Sequence, residues 1–414
     1  MIEKMTYRHH FEHNPSCIRD VFDSTHYRNL LHRKVKVDGV DQPYNYFSDS
    51  RDIALGLSVD SYLLFKRRRR GPKAVPIIFQ NSNLSPHLRT HLESIICLGV
   101  VHNPKDLSSF LEPFDDELAQ LALGVTTFDA SSQEMFDAHA YVILEDGDIV
   151  ATEEMFGIRG HNAYCPCRSC KIKGVRMITK GSSIYYVPLT TPDVEHQERP
   201  SADPRQLPLR THGHFLRIHN KINAATTSRQ REAIGFRYGI RHFPLISRVS
   251  SIDFAVSFPW EWMHIFFENV VQHIVNLTSG QFKGMDTGNG NYELAPEIWR
   301  EIGNETAKAT QDIPATYIRV LGDIVKERSH YNTESWAFWI IYVAPIILQD
   351  RFPNNKYYEH ICSLGKIMKT TLKFELTMQD IDELEEEIIQ WVERYEEYVS
   401  ELFSAATALT LNFL

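Results

Sequence analysis

Residues 52–62, DIALGLSVDSY, are the stretch of sequence that most restricts the fold. Ile, Leu and Val dominate it, as is typical of a strand buried in a sheet, and Asp60 comes where the apolar residues end. A second such stretch, AHAYVIL at residues 138–144, is followed by EDGDIV, which contains Asp148. The sequence therefore predicts two buried strands that each deliver a carboxylate at their end.

Two further strands and a helix are predicted between these stretches. Residues 75–80 and 94–101 are β-rich and bounded by Pro, Asn and Ser, so with residues 53–64 they predict an antiparallel meander. Apolar residues then recur at steps of three and four from Leu107 to Leu121, which is the helical period. The order strand, strand, strand, helix, strand predicts an α/β fold with a ribonuclease-H-like core, a mixed sheet with helices.

The rest of the chain is expected to form other domains. We predict an N-terminal lead-in at residues 1–50, the ribonuclease-H-like core at 51–165, and a zinc-motif and helical insertion region at 166–414. Residues 175–230 are rich in Pro, Thr, Arg and His, which favours a long irregular connection. Helical spacing is found at residues 260–277, 335–348 and 378–402.

Length and composition indicate a soluble globular protein. The 414 residues exceed the ~250–300 at which one core stops growing. A net charge of −9 does not indicate a nucleic-acid-binding protein, although KRRRRGPK at residues 66–73 is a local basic patch. The six cysteines are too few for a disulfide framework, so we expect a reducing compartment. We expect no membrane segment and no secretion signal.

The two aspartates fit a metal centre for phosphoryl transfer. In a ribonuclease-H-like fold the first and fourth strands are neighbours, so Asp60 and Asp148 can share two divalent ions. Hard oxygen ligands select Mg²⁺ or Mn²⁺, and two ions would activate water or a 3′-hydroxyl and stabilise the leaving oxygen. The structural alternative is that Asp60 ends a strand and Asp148 belongs to a turn at Asp146-Gly147. Asp146 also competes for the second role.

Three other patterns have both a functional and a structural interpretation. Cys167-Arg-Ser-Cys170 has the spacing of two zinc ligands, but a redox pair or chance also produces it; Cys165 and His161 are candidate further ligands. His264 and Glu268 are either a metal-binding pair or a core histidine beside a glutamate. A basic run fits DNA phosphates or a solvated turn; it consists of Lys66, Arg67, Arg68, Arg69 and Arg70.

Several segments in order along the chain carry a family resemblance. They include FSDSRDIALGLSVDSYLLFKRRR (47–69), ILEDGDIVATEEMFGIRGHNAYCPCRSCKIKG (143–174), LPLRTHGHF (207–215) and SFPWEWMHIFFENVV (257–271). The chain resembles transposases of CACTA-type (En/Spm-like) DNA elements in their fungal form. This implies a DDE-type transposase that cuts and joins DNA, with transposon terminal repeats as partner, a homo-oligomer and a nuclear location. Asp60 matches the D of the family's L-G-L-S-x-D motif, and Asp148 that of G-D-I-x-A.

The same resemblance makes Cys167 and Cys170 the thiolate half of a structural zinc site in a helical insertion, as in the V(D)J recombinase. In that design two histidines complete the site and the catalytic glutamate follows them. The chain ends before both elements and starts mid-domain, so we expect truncation at both ends and an enzyme inactive without its third acid. Ser61 also replaces the family's Gly. The alternatives are a non-catalytic remnant that binds DNA or transposase partners, and a remnant or incomplete gene model with no function.

Overall fold

The computed structural model describes residues 2–64, 72–102, 104, 107–160, 163–179, 182–187, 189, 202–281 and 291–400. The chain divides into two compact units, Met1–Lys171 with Pro208–Glu261 and Ile172–Leu207 with Trp262–Leu414. The protein is a mixed α/β structure with a mixed sheet, in agreement with the predicted class.

The strands are numbered in chain order. They are β1 (Cys17–Ile18), β2 (Lys34–Val37), β3 (Val40–Asn45), β4 (Ile53–Val59), β5 (Tyr62–Leu63), β6 (Lys73–Asn81), β7 (Ile95–His102), β8 (Val125–Asp129), β9 (Glu134–Ala138), β10 (Ala140–Asp146), β11 (Val175–Thr179), β12 (Ser182–Tyr186) and β13 (Leu376–Thr377).

The helices are numbered in the same way. The α-helices are α1 (Tyr7–His10), α2 (Thr25–Leu30), α3 (Pro86–Arg89), α4 (Ser108–Leu123), α5 (Ile149–Phe156), α6 (His212–Ala224), α7 (Ser228–Tyr238), α8 (Gln272–Thr278), α9 (Pro296–Ala309), α10 (Thr333–Phe338), α11 (Ala344–Ile347), α12 (Asn355–Thr371) and α13 (Met378–Ser400). Short 3₁₀-helices lie at Ile2–Thr6, Val21–Asp23, Leu92–Ser94, Pro204–Gln206 and Arg328–His330, and π-helical segments at Met263–Val271 and Trp339–Val343.

The central sheet of the first unit has the strand order β7, β6, β4, β10, with β5 pairing to the start of β6. β4, β6 and β7 form the predicted antiparallel meander, and β10 lies parallel to β4. Parallel neighbours need a long crossover, and α4 with the β8–β9 hairpin provides it. α4 confirms the helix that the sequence predicted from residue 107 onward. The β8–β9 hairpin was not predicted.

β4 lies between β10 and β6 in the sheet, and its apolar side chains are buried on both faces. Leu55, Leu57 and Val59 pack in one core with residues of β6 and with Leu111 of α4. Leu57 and Leu111 are completely buried, and burial of a leucine stabilises a fold by about 1.5–3 kcal/mol. Ala54, on the opposite face of β4, contributes to a separate core. Both faces of the strand are thus covered by protein.

Residues 1–50 supply that second core. Phe22, Leu30 and Tyr46 are buried together with Tyr141 and Ile143 of β10. The rings of Tyr46 and Tyr141 have centroids 4.9 Å apart in an edge-on arrangement. The aromatic residues of this segment pack against the sheet although they follow no helical or strand period.

The irregular connection expected at residues 175–230 is wrong in part. The described portion contains β11, β12, α6 and the start of α7. Thr211 caps α6 by accepting the His214 N–H, and Thr227 with Gln230 forms a capping box for α7. The frequent threonines and histidines of this stretch are therefore partly helix-start residues, so composition alone was misleading.

The second unit is mainly helical and is built around tryptophans such as Trp299 and Trp339. The helices expected at residues 260–277 and 335–348 are present, but each contains π-helical turns. In the second, the π-helical segment comes directly before Ala344-Pro345, and proline cannot donate a backbone hydrogen bond. Among the helices described, none has both the length and the apolar character that crossing a membrane requires.

Glu145 of β10 is a carboxylate inside the first unit. It is only 1% exposed, and neither side-chain oxygen has a hydrogen-bond partner among the described residues. Burial raises the pKa of Glu145 well above its ordinary value, and the charge of nearby Asp115 acts in the same direction. The folded state therefore favours the protonated form of Glu145.

A Glu145→Met substitution tests this environment. Because the folded-state pKa lies above the unfolded one, wild-type stability falls as pH rises above the unfolded value. We expect Glu145→Met to raise the free energy of unfolding by about 1–3 kcal/mol near neutral pH, and by less at about pH 5. Urea unfolding at several pH values measures this. Glu145→Gln cannot ionise, so its stability should also lack the fall with pH that we expect of wild type. Identical pH profiles of stability for all three proteins would contradict the raised pKa of Glu145.

Candidate active site

The candidate site lies where β4 and β10 end. These strands pair in parallel, with Ala140 opposite Ile53 and Asp146 opposite Ser58. Continuing this register by two residues brings Asp148 level with Asp60. Since parallel neighbours run about 4.8 Å apart, the backbones that carry the two predicted acids leave the sheet side by side at the same edge.

Gly147 allows the two strand ends to approach closely. A Cβ atom at this position would lie 2.5 Å from the carbonyl oxygen of Val59, a distance that no ordinary contact allows. Glycine is thus required for steric reasons between Asp146 and Asp148. The Asp-Gly pair suggested as a turn is instead a point of close backbone packing between neighbouring strands.

Asp60 is exposed immediately after the last residue of β4. Its Oδ1 accepts a hydrogen bond of 2.6 Å from the N–H of Ser61. This local contact holds the carboxylate near the strand end, and the described residues form no ion pair with it. Asp60 is therefore accessible to a cation or to DNA.

Asp148 is the N-cap of α5. Its backbone is extended, and Oδ1 accepts the N–H of Ala151 at 2.6 Å. Among the described residues no hydrogen bond reaches its other oxygen, Oδ2. The N-terminus of a helix carries a partial positive charge that stabilises an anion, so α5 stabilises the Asp148 carboxylate.

The sequence reasoning missed Arg168, which connects this edge of the sheet to the cysteine motif. Its guanidinium lies 4.0 Å from the ring centroid of Trp260, and it donates to the carbonyl of Pro259 at 2.5 Å. Burial lowers the pKa of Arg168 to about 10, while the charges of Cys167 and then Asp146 act in the opposite direction. Asp146, the competitor for the second catalytic role, thus has a buried cation nearby. A single arginine inside C-x-x-C gives no sequence signal for this.

Cys167 and Cys170 lie together, as two ligands of one metal must. The N–H groups of Ser169 and Cys170 donate to Cys167 Sγ at 3.3 and 3.2 Å. The hydrogen bond from the Cys170 side chain lowers the pKa of Cys167 to about 6, helped by these backbone donors and by Arg210. The loop therefore stabilises a thiolate, which is the form that binds zinc.

A complete metal-ligand set is not found in the described ranges, which contain no group of three or more His, Cys, Asp or Glu residues suited to an ion. Cys165 donates to the carbonyl of Arg237 at 3.4 Å, and His161 lies outside the described residues. The zinc and magnesium assignments stay predictions.

The remaining candidates give no added support for a metal. His264 Nε2 lies 3.7 Å from Glu268 Oε2 within the π-helical segment of the second unit. Glu268 also accepts a hydrogen bond from Thr333 at 3.1 Å. The basic run from Lys66 to Arg70 lies outside the described residues, so its contacts stay predictions.

Comparison with known proteins gives one family match. Residues 33–200 match the family described as "Transposase family tnp2", a segment that contains Asp60, Asp148, Cys167 and Cys170. The match supports a transposase family for this part of the chain. No curated protein matches the sequence significantly.

The contribution of the Asp148 cap to the stability of the protein can be measured. We expect Asp148→Ala to lower the free energy of unfolding by about 0.5–2 kcal/mol because Ala cannot accept the Ala151 N–H, whereas Asn caps as well as Asp. Asp148→Asn should therefore stay within a few tenths of a kcal/mol of wild type. Denaturant titration of the three proteins checks this, and equal stability of the Ala and Asn variants would exclude the cap.

The lowered pKa of Cys167 should appear in its reactivity. We expect metal-free protein to be alkylated at Cys167 with a half-maximal rate near pH 6, because the thiolate is the nucleophile. Cys170→Ala removes a hydrogen-bond donor and should move the profile to higher pH. Mass spectrometry assigns the modified residue, with the exposed Cys97 as internal reference. A Cys167 profile that does not change in Cys170→Ala would disprove this cause.

Proposed function

We propose that this chain belongs to a DDE-type DNA transposase, and that Asp60 and Asp148 are two carboxylate ligands of its divalent-metal centre. The observation that carries the proposal is the parallel pairing of β4 with β10, which brings both acids to one edge of the sheet. The strand order, an antiparallel meander with the fourth strand parallel to the first, supports a ribonuclease-H-like core. The family match over residues 33–200 supports the reaction class.

Each aspartate has a distinct task in this proposal. Asp60 offers an exposed carboxylate, and Asp148 offers Oδ2 while Oδ1 stays on the Ala151 N–H. That hydrogen bond fixes the orientation of the Asp148 carboxylate before an ion arrives. Mg²⁺ or Mn²⁺ bound there would supply activation of water or a 3′-hydroxyl and stabilisation of the leaving oxygen.

DNA is the proposed partner because the family match is to transposases. The basic run Lys66, Arg67, Arg68, Arg69 and Arg70 begins six residues after Asp60. Such a run of cations would neutralise DNA phosphates. By the resemblance to CACTA-type elements of fungi, we further propose terminal repeats as the DNA, a homo-oligomer, and a nuclear location.

The cysteine loop is proposed to be one half of a structural zinc site. Cys167 and Cys170 would supply two thiolates, and the pKa of about 6 at Cys167 means that one of them is formed at neutral pH. The charge of Asp146 acts on Arg168 of the same loop. Zinc bound there would therefore stabilise the loop that neighbours the end of β10.

Two carboxylates provide few ligands for two hard cations, each of which prefers at least six oxygens. We therefore propose that strand transfer by this chain alone is weak, and that a third acid is needed for full activity. The alternative function is a non-catalytic remnant that binds DNA or transposase partners. The same shortage of metal ligands favours this non-catalytic alternative. An experiment that distinguishes the two functions must therefore measure metal binding and DNA binding separately.

The metal centre can be tested without knowing the DNA sequence. Fe²⁺ bound in place of Mg²⁺ reduces added hydrogen peroxide to hydroxyl radicals that cut the nearby backbone, and added ascorbate reduces the Fe³⁺ again. We expect cuts near residues 60 and 148. Asp60→Asn and Asp148→Asn should each weaken Mn²⁺ binding by about tenfold, which corresponds to ~1.4 kcal/mol. Asp137→Asn is the matched control, because Asp137 is an exposed acid of the same unit in the β8–β9 hairpin.

The Asn variants also separate the structural and catalytic roles of Asp148. Asn keeps the helix cap but is a weaker ligand, so a residue that only caps α5 would tolerate it fully. Metal-dependent nicking of DNA that is equal in Asp60→Asn, Asp148→Asn and Asp137→Asn would exclude both aspartates as catalysts. DNA binding that weakens from about 50 to 200 mM salt, without any metal-dependent nicking, would favour the non-catalytic alternative.

A further inference from the structure

A cavity of about 520 Å³ lies beside α1 and α2 in the first unit. Among the residues that the structure describes, two arginines and three histidines line it and no carboxylate does: the basic residues are Arg8, His9, His13, Arg28 and His32. In a chain with a net charge of −9, the described wall of this cavity is thus basic. Such a surface attracts an anion.

Arg8 contributes charge to the cavity but has few donors left for a ligand. Its guanidinium donates to the carbonyls of Asp49, Ser50 and Asp52 at 2.8–3.0 Å and to the hydroxyl of Tyr27 at 3.2 Å. It is 6% exposed. These acceptors are neutral, although the charge of Arg8 also acts on the buried carboxyl of Asp52.

Arg28 is held in place by a short relay. Nδ1 of His13 lies 2.8 Å from Oδ1 of the buried Asp23, and Nε2 lies 3.0 Å from Nη1 of Arg28. Because Arg28 can only donate, Nε2 must accept and Nδ1 must carry the proton that goes to Asp23. Asp23 thus fixes the imidazole, which orients the guanidinium at the cavity wall. A preoriented guanidinium is suited to a phosphate.

An aromatic wall lies beside these cations. Phe11, Phe22 and Tyr27 all line the cavity, with ring centroids 5.6 Å apart for the first pair and 4.7 Å for the second. Phe11 is partly exposed. A ligand with a flat apolar group could therefore stack beside its charged group. Inorganic phosphate would leave this wall uncovered, and a cavity of 300–1,000 Å³ is the usual size for a small organic ligand.

The cavity is separate from the candidate metal centre. Arg8 contacts residues 49–52, directly before β4 begins, whereas Asp60 follows the last residue of the same strand. A strand of seven residues is roughly 23 Å long at about 3.3 Å per residue. A ligand in the cavity thus lies at the opposite end of β4 from the two aspartates.

We propose that this cavity binds a nucleotide, with the phosphate on Arg28 and the neighbouring histidines His9 and His32, and the base against the Phe11 side. The combination of one oriented guanidinium, neighbouring histidines and an aromatic wall suits a phosphate joined to a flat ring. The nucleotide comes either from solution or from a single strand of DNA. The second source rests on the proposed transposase function, and the first does not.

Binding of deoxyadenosine monophosphate to the full 414-residue chain tests the proposal by calorimetry. We expect deoxyadenosine and inorganic phosphate each to bind about tenfold more weakly or worse, since each lacks half of the recognised group. Arg28→Gln should weaken binding of the nucleotide by about tenfold. Arg229→Gln is the matched control, because Arg229 is an exposed arginine of α7 in the same unit, and it should bind as wild type does.

Competition identifies the source of the nucleotide. Displacement of the monophosphate by a short oligodeoxyadenylate assigns the site to single-stranded DNA, and its failure to compete assigns the site to the free nucleotide. Phosphate or deoxyadenosine binding as tightly as the nucleotide would overturn the proposal, as would equal affinity of Arg28→Gln and Arg229→Gln. Asp60→Asn should bind the nucleotide normally, so failure of the metal centre and failure of this site are distinguishable.

Discussion

The parallel pairing of β4 with β10 is the interaction on which the first unit depends. It forces the chain to return through α4 and the β8–β9 hairpin, because parallel strands cannot be joined by a tight turn. It also buries β4 on both faces, against α4 on one side and the core shared with residues 1–50 on the other. Polar side chains are thereby confined to the strand ends, and Asp60 and Asp148 emerge at the same end.

The short sequence Glu145-Asp-Gly-Asp148 shows how environment separates three chemically similar groups. Glu145 is buried, and burial raises the pKa of its carboxyl well above the ordinary value. Asp146, the next residue along the strand, lies in the field of the buried cation Arg168. Asp148 leaves the strand and caps α5. Asp148 combines partial solvent access with a hydrogen bond that orients its carboxylate, so position relative to the sheet, and not residue type, distinguishes these three acids.

Local periodicity predicted the meander, the helix at residues 108–123 and the strand before Asp148, because these elements bury their own apolar pattern. It failed where partners lie far away in the sequence. The aromatic residues near Phe22 pack against Tyr141, and the basic residues of the cavity beside α1 and α2 come from segments with no regular period. Arg168 is of the same kind, since its partner Trp260 is distant in the chain. A residue whose partners lie far away in the chain produces no helical or strand periodicity, so its contacts cannot be predicted from a single sequence.

The structural and functional interpretations of the two aspartates carry unequal weight. Asp148 has a structural reason to exist, since a cap contributes about 1 kcal/mol, although that role uses one oxygen and leaves Oδ2 for an ion. Asp60 accepts one hydrogen bond from its own neighbour Ser61 and is exposed, so it contributes little to stability. Among the described residues, Asp60 has no hydrogen bond beyond the one from its neighbour, so a structural role accounts for less of Asp60 than of Asp148. The proposed metal centre therefore depends more on Asp60 than on Asp148.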